Sequence, residues 1–292
     1  NEAMQQVEED LGHVKKPAKV ITVFSAKGGV GKTTIACELA TFLSLTNHGK
    51  GKFRVCLVDY DLMFGDILST LNFNPNQANM MDWIADLDKK HKAGQEWNAI
   101  SYDAGQIERF LQKKEESGLY SLIAPITNFD YMKISNEEIV NLCGTMLRNI
   151  VENGDFDFVI VDTGNNIEDA TYVSLERADE ILLILTQSMN SANCNNNFLN
   201  TMNHLEFDLS KIRIVINKAK PAKGVGISVN ELQEALKNPV TNQPFECYAK
   251  IKDNDAVQNA ENIGEPMVYK SSHEFTKSIG EVAHHVIGDT FV

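Results

Sequence analysis

Two lysines, three glycines and two threonines within eight residues carry the clearest chemistry in this chain. The stretch is Lys27-Gly-Gly-Val-Gly-Lys-Thr-Thr34. Before it runs the apolar segment Val20 to Phe24, and after it come Ile35, Ala36, Leu39, Ala40, Phe42 and Leu43. The β-branched segment reads as a buried strand and the later stripe as a helix. Strand, glycine loop and helix is the setting that a phosphate-binding loop requires. Gly28, Gly29 and Gly31, with Val30 between them, let the backbone curl so that successive N–H groups point into one concavity. The helix N-terminus adds partial positive charge. Lys32 is expected to reach the β- and γ-phosphates of a nucleotide and the Thr33 hydroxyl to sit on Mg²⁺, with Thr34 completing the cradle.

Two further strands end in carboxylates. The run from Phe53 ends in Asp59-Tyr-Asp61, and the run from Phe156 ends in Asp162-Thr-Gly164-Asn-Asn166. Acidic residues at the carboxyl ends of parallel strands sit where open α/β sheets bind ligands. Mg²⁺ keeps several waters and uses few direct protein ligands, so one carboxylate can hold its water shell while another orients an attacking water. Asp162 ends an apolar strand in the Walker B manner and is expected at the metal. Gly164 lets a backbone approach the terminal phosphate. A plain loop-capping role for Asp59, Asp61 or Asp162 is the alternative.

The elements that must position these residues alternate along the chain. Strands are expected at 119–124, 179–186, 211–217 and 245–249. Helices are expected at 80–87, 107–116, from Ser135 as N-cap to about 150, at 189–206, 227–236 and 275–287. That alternation predicts an α/β fold, a mostly parallel twisted sheet flanked by helices on both faces. Met80, Met81 and Trp83 read as core rather than as a contact surface. The asparagines at 193, 195, 196 and 197 are unusual inside a helix and suggest no function. His284 and His285 lack companion ligands, so a surface helix is expected there rather than a metal site.

Composition narrows the classes. The chain has 292 residues, 43% hydrophobic and 23% charged, which suits a globular α/β domain. Its net charge of −13 disfavours a broad nucleic-acid surface. Five cysteines without C-x-x-C spacing argue against a zinc or iron–sulfur site and suggest a reducing cytoplasm. No apolar run approaches the ~20 residues of a membrane span. Residues 1–18 are polar, closed by Pro17, and read as a linker or a remnant of an upstream segment; residues 19–292 read as the domain.

The loop departs from G-x-x-x-x-G-K-[ST], with Ala26 where glycine is usual and Lys27 before the glycine pair. In this it resembles the deviant Walker A motif of the MinD/ParA family of ATPases. The resemblance implies that Lys27 reaches across a dimer interface to the partner's nucleotide, acting as an arginine finger does; a solvated loop lysine is the alternative. It also implies that Asp61 is the switch I aspartate tied to hydrolysis, that Asp59 lies nearer the metal, and that Asn217 contacts adenine. The Asn217-Lys218-Ala219-Lys220 sequence lacks the aspartate that reads guanine, which favours ATP. Relatives usually carry proline and a further glycine where this chain has Asn165 and Asn166, and their Pro-x-Asp-Pro-like sequence is replaced by Lys250 to Asp255.

Within the family, Val58-Asp-Tyr-Asp-Leu-Met-Phe-Gly-Asp-Ile67, Leu122-Ile-Ala-Pro125 and Gly226-Ile-Ser228 resemble the CpaE/TadZ-like branch linked to Flp (tad) pili. The implied function is a slow, ATP-dependent, homodimerising switch that positions or helps assemble a pilus or secretion machine. Such a protein would be cytoplasmic, recruited to the cell pole or the inner face of the membrane. A ParA-like DNA-partition ATPase and an ATP-binding scaffold without hydrolysis are the other readings. The terminal helix lacks a basic face, which weakens a direct membrane cycle.

Overall fold

The computed structural model describes residues 16–49, 51–220 and 227–288. Most of the expected linker, and Gly226, lie outside them. The strands are β1 (Lys19–Phe24), β2 (Asn47–His48), β3 (Gly51–Lys52), β4 (Val55–Tyr60), β5 (Gln112–Lys113), β6 (Tyr120–Leu122), β7 (Phe158–Thr163), β8 (Glu180–Leu185), β9 (Ile212–Ala219) and β10 (Cys247–Lys252). β2 and β3 pair as a small hairpin. The other eight form one sheet in the order β10-β9-β8-β1-β7-β4-β6-β5, parallel except for β5 against β6.

The strands are buried on both faces, so they read as continuous apolar runs rather than alternating ones. Alternation reappears in what each side chain packs against. Ile21, Val23, Val55, Leu57, Phe158 and Ile160 face one core, with the Lys32–Leu45 and Glu274–Ile287 helices. Val20, Cys56, Val58, Val159 and Val161 face the opposite core, with the Met80–Lys92 and Asn136–Asn153 helices. Beyond β1, Leu183, Leu185, Ile214 and Ile216 pack on the Met189–His204 helix. Of the three residues expected in the core, Met80 and Trp83 are fully buried, whereas Met81 is half-buried and lines a surface cavity. The last helix packs on β10 and on the Lys32–Leu45 helix. Among the described residues no helix is long and apolar enough to cross a membrane.

The structure corrects three element expectations. The 80–87 helix runs on to Lys92, started by an Asn79–Asp82 capping box. The expected helix at 107–116 is instead a short one, Ala104–Glu108, followed by strand β5. Gly118, at φ 80, closes a hairpin in which the Lys114 N–H donates to Leu119 O. The charges that imitated the outer face of a helix, Lys113 to Glu116, belong to that hairpin. Gln112 is buried there, its amide donating to Asn74 O and Ala78 O. The strand expected at 245–249 is shifted to β10.

Candidate functional site

β1 stops at Phe24 and the chain curls through Ser25 to Gly31 into the Lys32–Leu45 helix. Gly29 and Gly31 hold φ of 73° and 92°, the left-handed region that only glycine enters without strain. At Gly31 space is also short, since an added Cβ would lie 2.4 Å from Asn217 Nδ2. Neighbouring side chains pin the loop. Asn217 Nδ2 donates to Val30 O at 2.9 Å and Lys218 Nζ to Gly29 O at 3.1 Å. Asn195 Oδ1 accepts from the Ala26 N–H at 3.1 Å, and Ser25 Oγ from the Lys27 N–H at 3.2 Å. The N–H groups of Gly28 to Gly31 donate to no group among the described residues.

The loop opens on a cavity of about 610 Å³. Its walls are the loop, the first turn of the following helix, Asp61 and Asp66 after β4, Asn165 after β7, and Glu261 and Asn262 of the Asp255–Ile263 helix. Lys32, Thr33 and Thr34 line it; Lys27 is exposed outside it. Val30 is buried beneath.

Two carboxylates lie under the cavity. The register of β4 on β7 places Asp59 opposite Asp162. Both are fully buried. The Asp162 oxygens have no hydrogen-bond partner among the described residues. Burial pushes its carboxyl up to about 7, against the pull of Thr33 and Lys32. Asp59 differs, because its Oδ1 accepts from the Asp61 N–H at 3.2 Å and its Oδ2 from the Ile67 N–H at 3.3 Å. Burial first, then repulsion from Asp162 and Asp61, holds Asp59 well above the usual carboxylate range. Burial also lowers the Lys32 ammonium, countered by Asp162 and Asp61. Asp61 faces the cavity, beside Gly164: a Cβ on that glycine would meet the Asp61 carboxylate at 3.7 Å.

The donor set fits a magnesium-bound phosphate chain. Unpaired backbone N–H groups and Lys32 answer the phosphates. A buried carboxylate lacking a partner, beside the Thr33 hydroxyl, is costly until a cation or its water arrives.

The residues expected at the site thus gather around one cavity, with three qualifications. Asp59 ties down the 61–67 turn rather than lining the wall. Asn217 is 5% exposed, and its amide nitrogen is engaged by the loop. Lys27 stands outside. Three contributors were not anticipated. Asn195 braces the start of the loop and is fully buried; the unusual run of asparagines in its helix was the only sign of it in the sequence. Lys218 lies in the 217–220 sequence, whose pattern bears on base choice and not on bracing the loop, and Glu261 comes from a distant segment without a motif to mark it.

A family model described as AAA domain, AAA_31, matches residues 18–215. The chain belongs to this AAA domain family. This AAA-domain chain is 23% identical over 276 residues to the septum site-determining protein MinD of Thermotoga maritima, covering 92% of itself and 88% of that protein. Its fold is that of a ParA family ATPase from Chlorobium tepidum, with TM-score 0.73 and 23% identity over 91% of this chain and 98% of the other. MinD of Pyrococcus horikoshii, solved with Mg-ADP, superposes with TM-score 0.69 at 16% identity, covering 93% of this chain and 96% of that one. The fold class read from the sequence, a mostly parallel sheet of the P-loop NTPase kind, is therefore the one observed.

Proposed function

We propose that this protein is a deviant Walker A ATPase of the MinD/ParA kind that binds ATP with Mg²⁺ and pairs with a second copy. The observation that carries the reading is the unpartnered, buried Asp162 beneath a cavity lined by Gly28, Gly29, Gly31, Lys32 and Thr33. The Mg-ADP in the Pyrococcus horikoshii relative supports the choice of ligand. Thr33 and Asp162 would hold Mg²⁺ and its waters, with Asp59 supporting from behind. Mg²⁺ would supply positive charge against that of the phosphates. Lys32 and the N–H groups of Gly28 to Gly31 bind and orient the phosphate chain. Asp61 orients the attacking water. Asn217, at the loop's edge, stands on the adenine side.

Lys27 is exposed at the rim, where it can serve a partner's nucleotide instead of its own. Exposed apolar side chains follow two neighbouring strands at the carboxyl edge of the sheet. Phe64 follows β4 and is 65% exposed; Phe129 and Met132 follow β6 and are 70% and 74% exposed. Exposed apolar groups grouped this way favour association through this face. Similarity of the 58–67 sequence to the CpaE/TadZ branch makes a pilus or secretion machine the favoured partner. The charge of −13 opposes the DNA-partition alternative.

Light scattering during size exclusion tests the core of this reading. Mg²⁺-ATP should convert monomer to dimer. Asp61→Ala should prolong the dimer, and Lys27→Ala should bind ATP yet stay monomeric. A monomer in all conditions rejects dimerisation. ATP binding without phosphate release above the Lys32→Ala background favours a scaffold, the reading that the unusual Asn165 and Asn166 motivate.

A further inference from the structure

Glu261 has no part in the chemistry described so far, yet it stands in the cavity. It projects from the Asp255–Ile263 helix and accepts a hydrogen bond from the Thr34 hydroxyl, in the first turn of the loop helix. Glu261 also lines a second, smaller cavity of about 150 Å³ with Asn217 and the 252–255 segment. The two cavities share Thr34, Lys218 and Glu261. A nucleotide with its phosphates in the first cavity and its nucleoside in the second would cross this junction beside Thr34.

A carboxylate at that point does for the helix N-terminus what a phosphate would do, offering negative charge to its partial positive end. Lys218, the cation shared by both cavities, donates to Gly29 O. Glu38, buried nearby on the same face of the loop helix, is repelled by Glu261. We propose that Glu261 is the chain's own competitor for its phosphate cradle, a residue that sets nucleotide affinity by occupying Thr34 until the innermost phosphate displaces it. This rests on the nucleotide-binding reading above.

Displacement has a route outward. The Asp255–Ile263 helix ends at Gly264, φ 67, where an added Cβ would lie 2.5 Å from Asn72 Cβ. Asn72 follows the Ile67–Thr70 helix, which begins where the Asp61–Asp66 loop ends. The helix that carries Glu261 thus packs, through Asn72, against the segment that follows Asp61.

The test is calorimetric titration of the intact chain with Mg²⁺-ATP and Mg²⁺-ADP, comparing wild type with Glu261→Gln, which keeps size and loses charge. Affinity should tighten about tenfold, because the neutral amide oxygen of glutamine holds the Thr34 hydroxyl by a weaker bond than the carboxylate does. In parallel, amide hydrogen exchange over 255–264 should quicken on adding Mg²⁺-ATP to wild type and be quick already in nucleotide-free Glu261→Gln. Thr34→Val abolishes the bond outright, since valine has no hydroxyl to donate. It should show the same quick exchange without nucleotide, which keeps the proposal open to refutation if Glu261→Gln does not fold. Unchanged or weaker nucleotide affinity in Glu261→Gln, or unchanged exchange in Thr34→Val, overturns the proposal while leaving the nucleotide site intact. If wild type binds no more nucleotide than Lys32→Ala does, the nucleotide reading fails and takes this one with it.

Discussion

Asp162 sets stability against ligand chemistry within a single side chain. Its carboxyl titrates near 7 in the fold, against about 4 in an unfolded chain. A group raised in this way stabilises the fold below the unfolded value and loses that contribution as pH climbs through the folded one. Nucleotide-free protein in chelator should therefore weaken between about pH 4 and pH 7. Asp162→Asn removes that part of the slope. It should be more stable than wild type by on the order of 1–3 kcal/mol at pH 8 by urea denaturation, and should lose Mg²⁺-dependent nucleotide binding. A variant no more stable than wild type at pH 8 would mean that the charge is compensated in the fold. Asn195 makes a complementary case. Asn195→Ala frees the Ala26 N–H and should cost about 1–3 kcal/mol while weakening nucleotide binding, measured by denaturation and titration. The lysines, glycines and aspartates were legible because phosphate and Mg²⁺ chemistry demands those types at local spacings. Asn195 was not, because its value depends on a partner 169 residues away in sequence.

At the scale of elements, the turn after β4 shows how backbone geometry aims a side chain. Asp59 holds the N–H groups of Asp61 and Ile67, and Gly65 lies against it. A Cβ at Gly65 would sit 2.5 Å from Ala124 Cβ and 2.6 Å from Asp59 Oδ2. Gly65→Ala should therefore displace the turn, lower phosphate release several-fold through Asp61, and leave nucleotide affinity within about twofold, since the loop itself is untouched. Equal losses in affinity and turnover would show that the turn positions the nucleotide as well. Most strands and the long helices were readable because their apolar periodicity is strong. The hairpin carrying β5 was misread as a helix. Its charges fall at helix-like intervals, and only pairing with β6 decides the backbone's course.

Taken whole, the molecule places its cavity at the carboxyl ends of β1, β4 and β7, the central strands of an eight-stranded sheet. Residues from the loop, from both later carboxylate strands and from the 255–263 helix converge there. A ligand bound only by this assembled site stabilises the entire fold by mass action. At one hundred times its dissociation constant, Mg²⁺-ATP should add about 2.7 kcal/mol and raise the thermal midpoint by a few degrees. Lys32→Ala should abolish that rise without lowering the nucleotide-free midpoint appreciably. A midpoint indifferent to nucleotide would contradict the site. The sequence by itself determined the strand–loop–helix unit, the α/β class and the identity of the carboxylates, because each follows from local spacing or from apolar patterning within one segment. Tertiary structure alone decided that Asp162 is left without a partner while Asp59 is not, that Asn195 and Lys218 tie down the loop, and that Glu261 reaches Thr34. Those facts depend on which distant segments the sheet brings side by side, and burial and pairing have no meaning until it does.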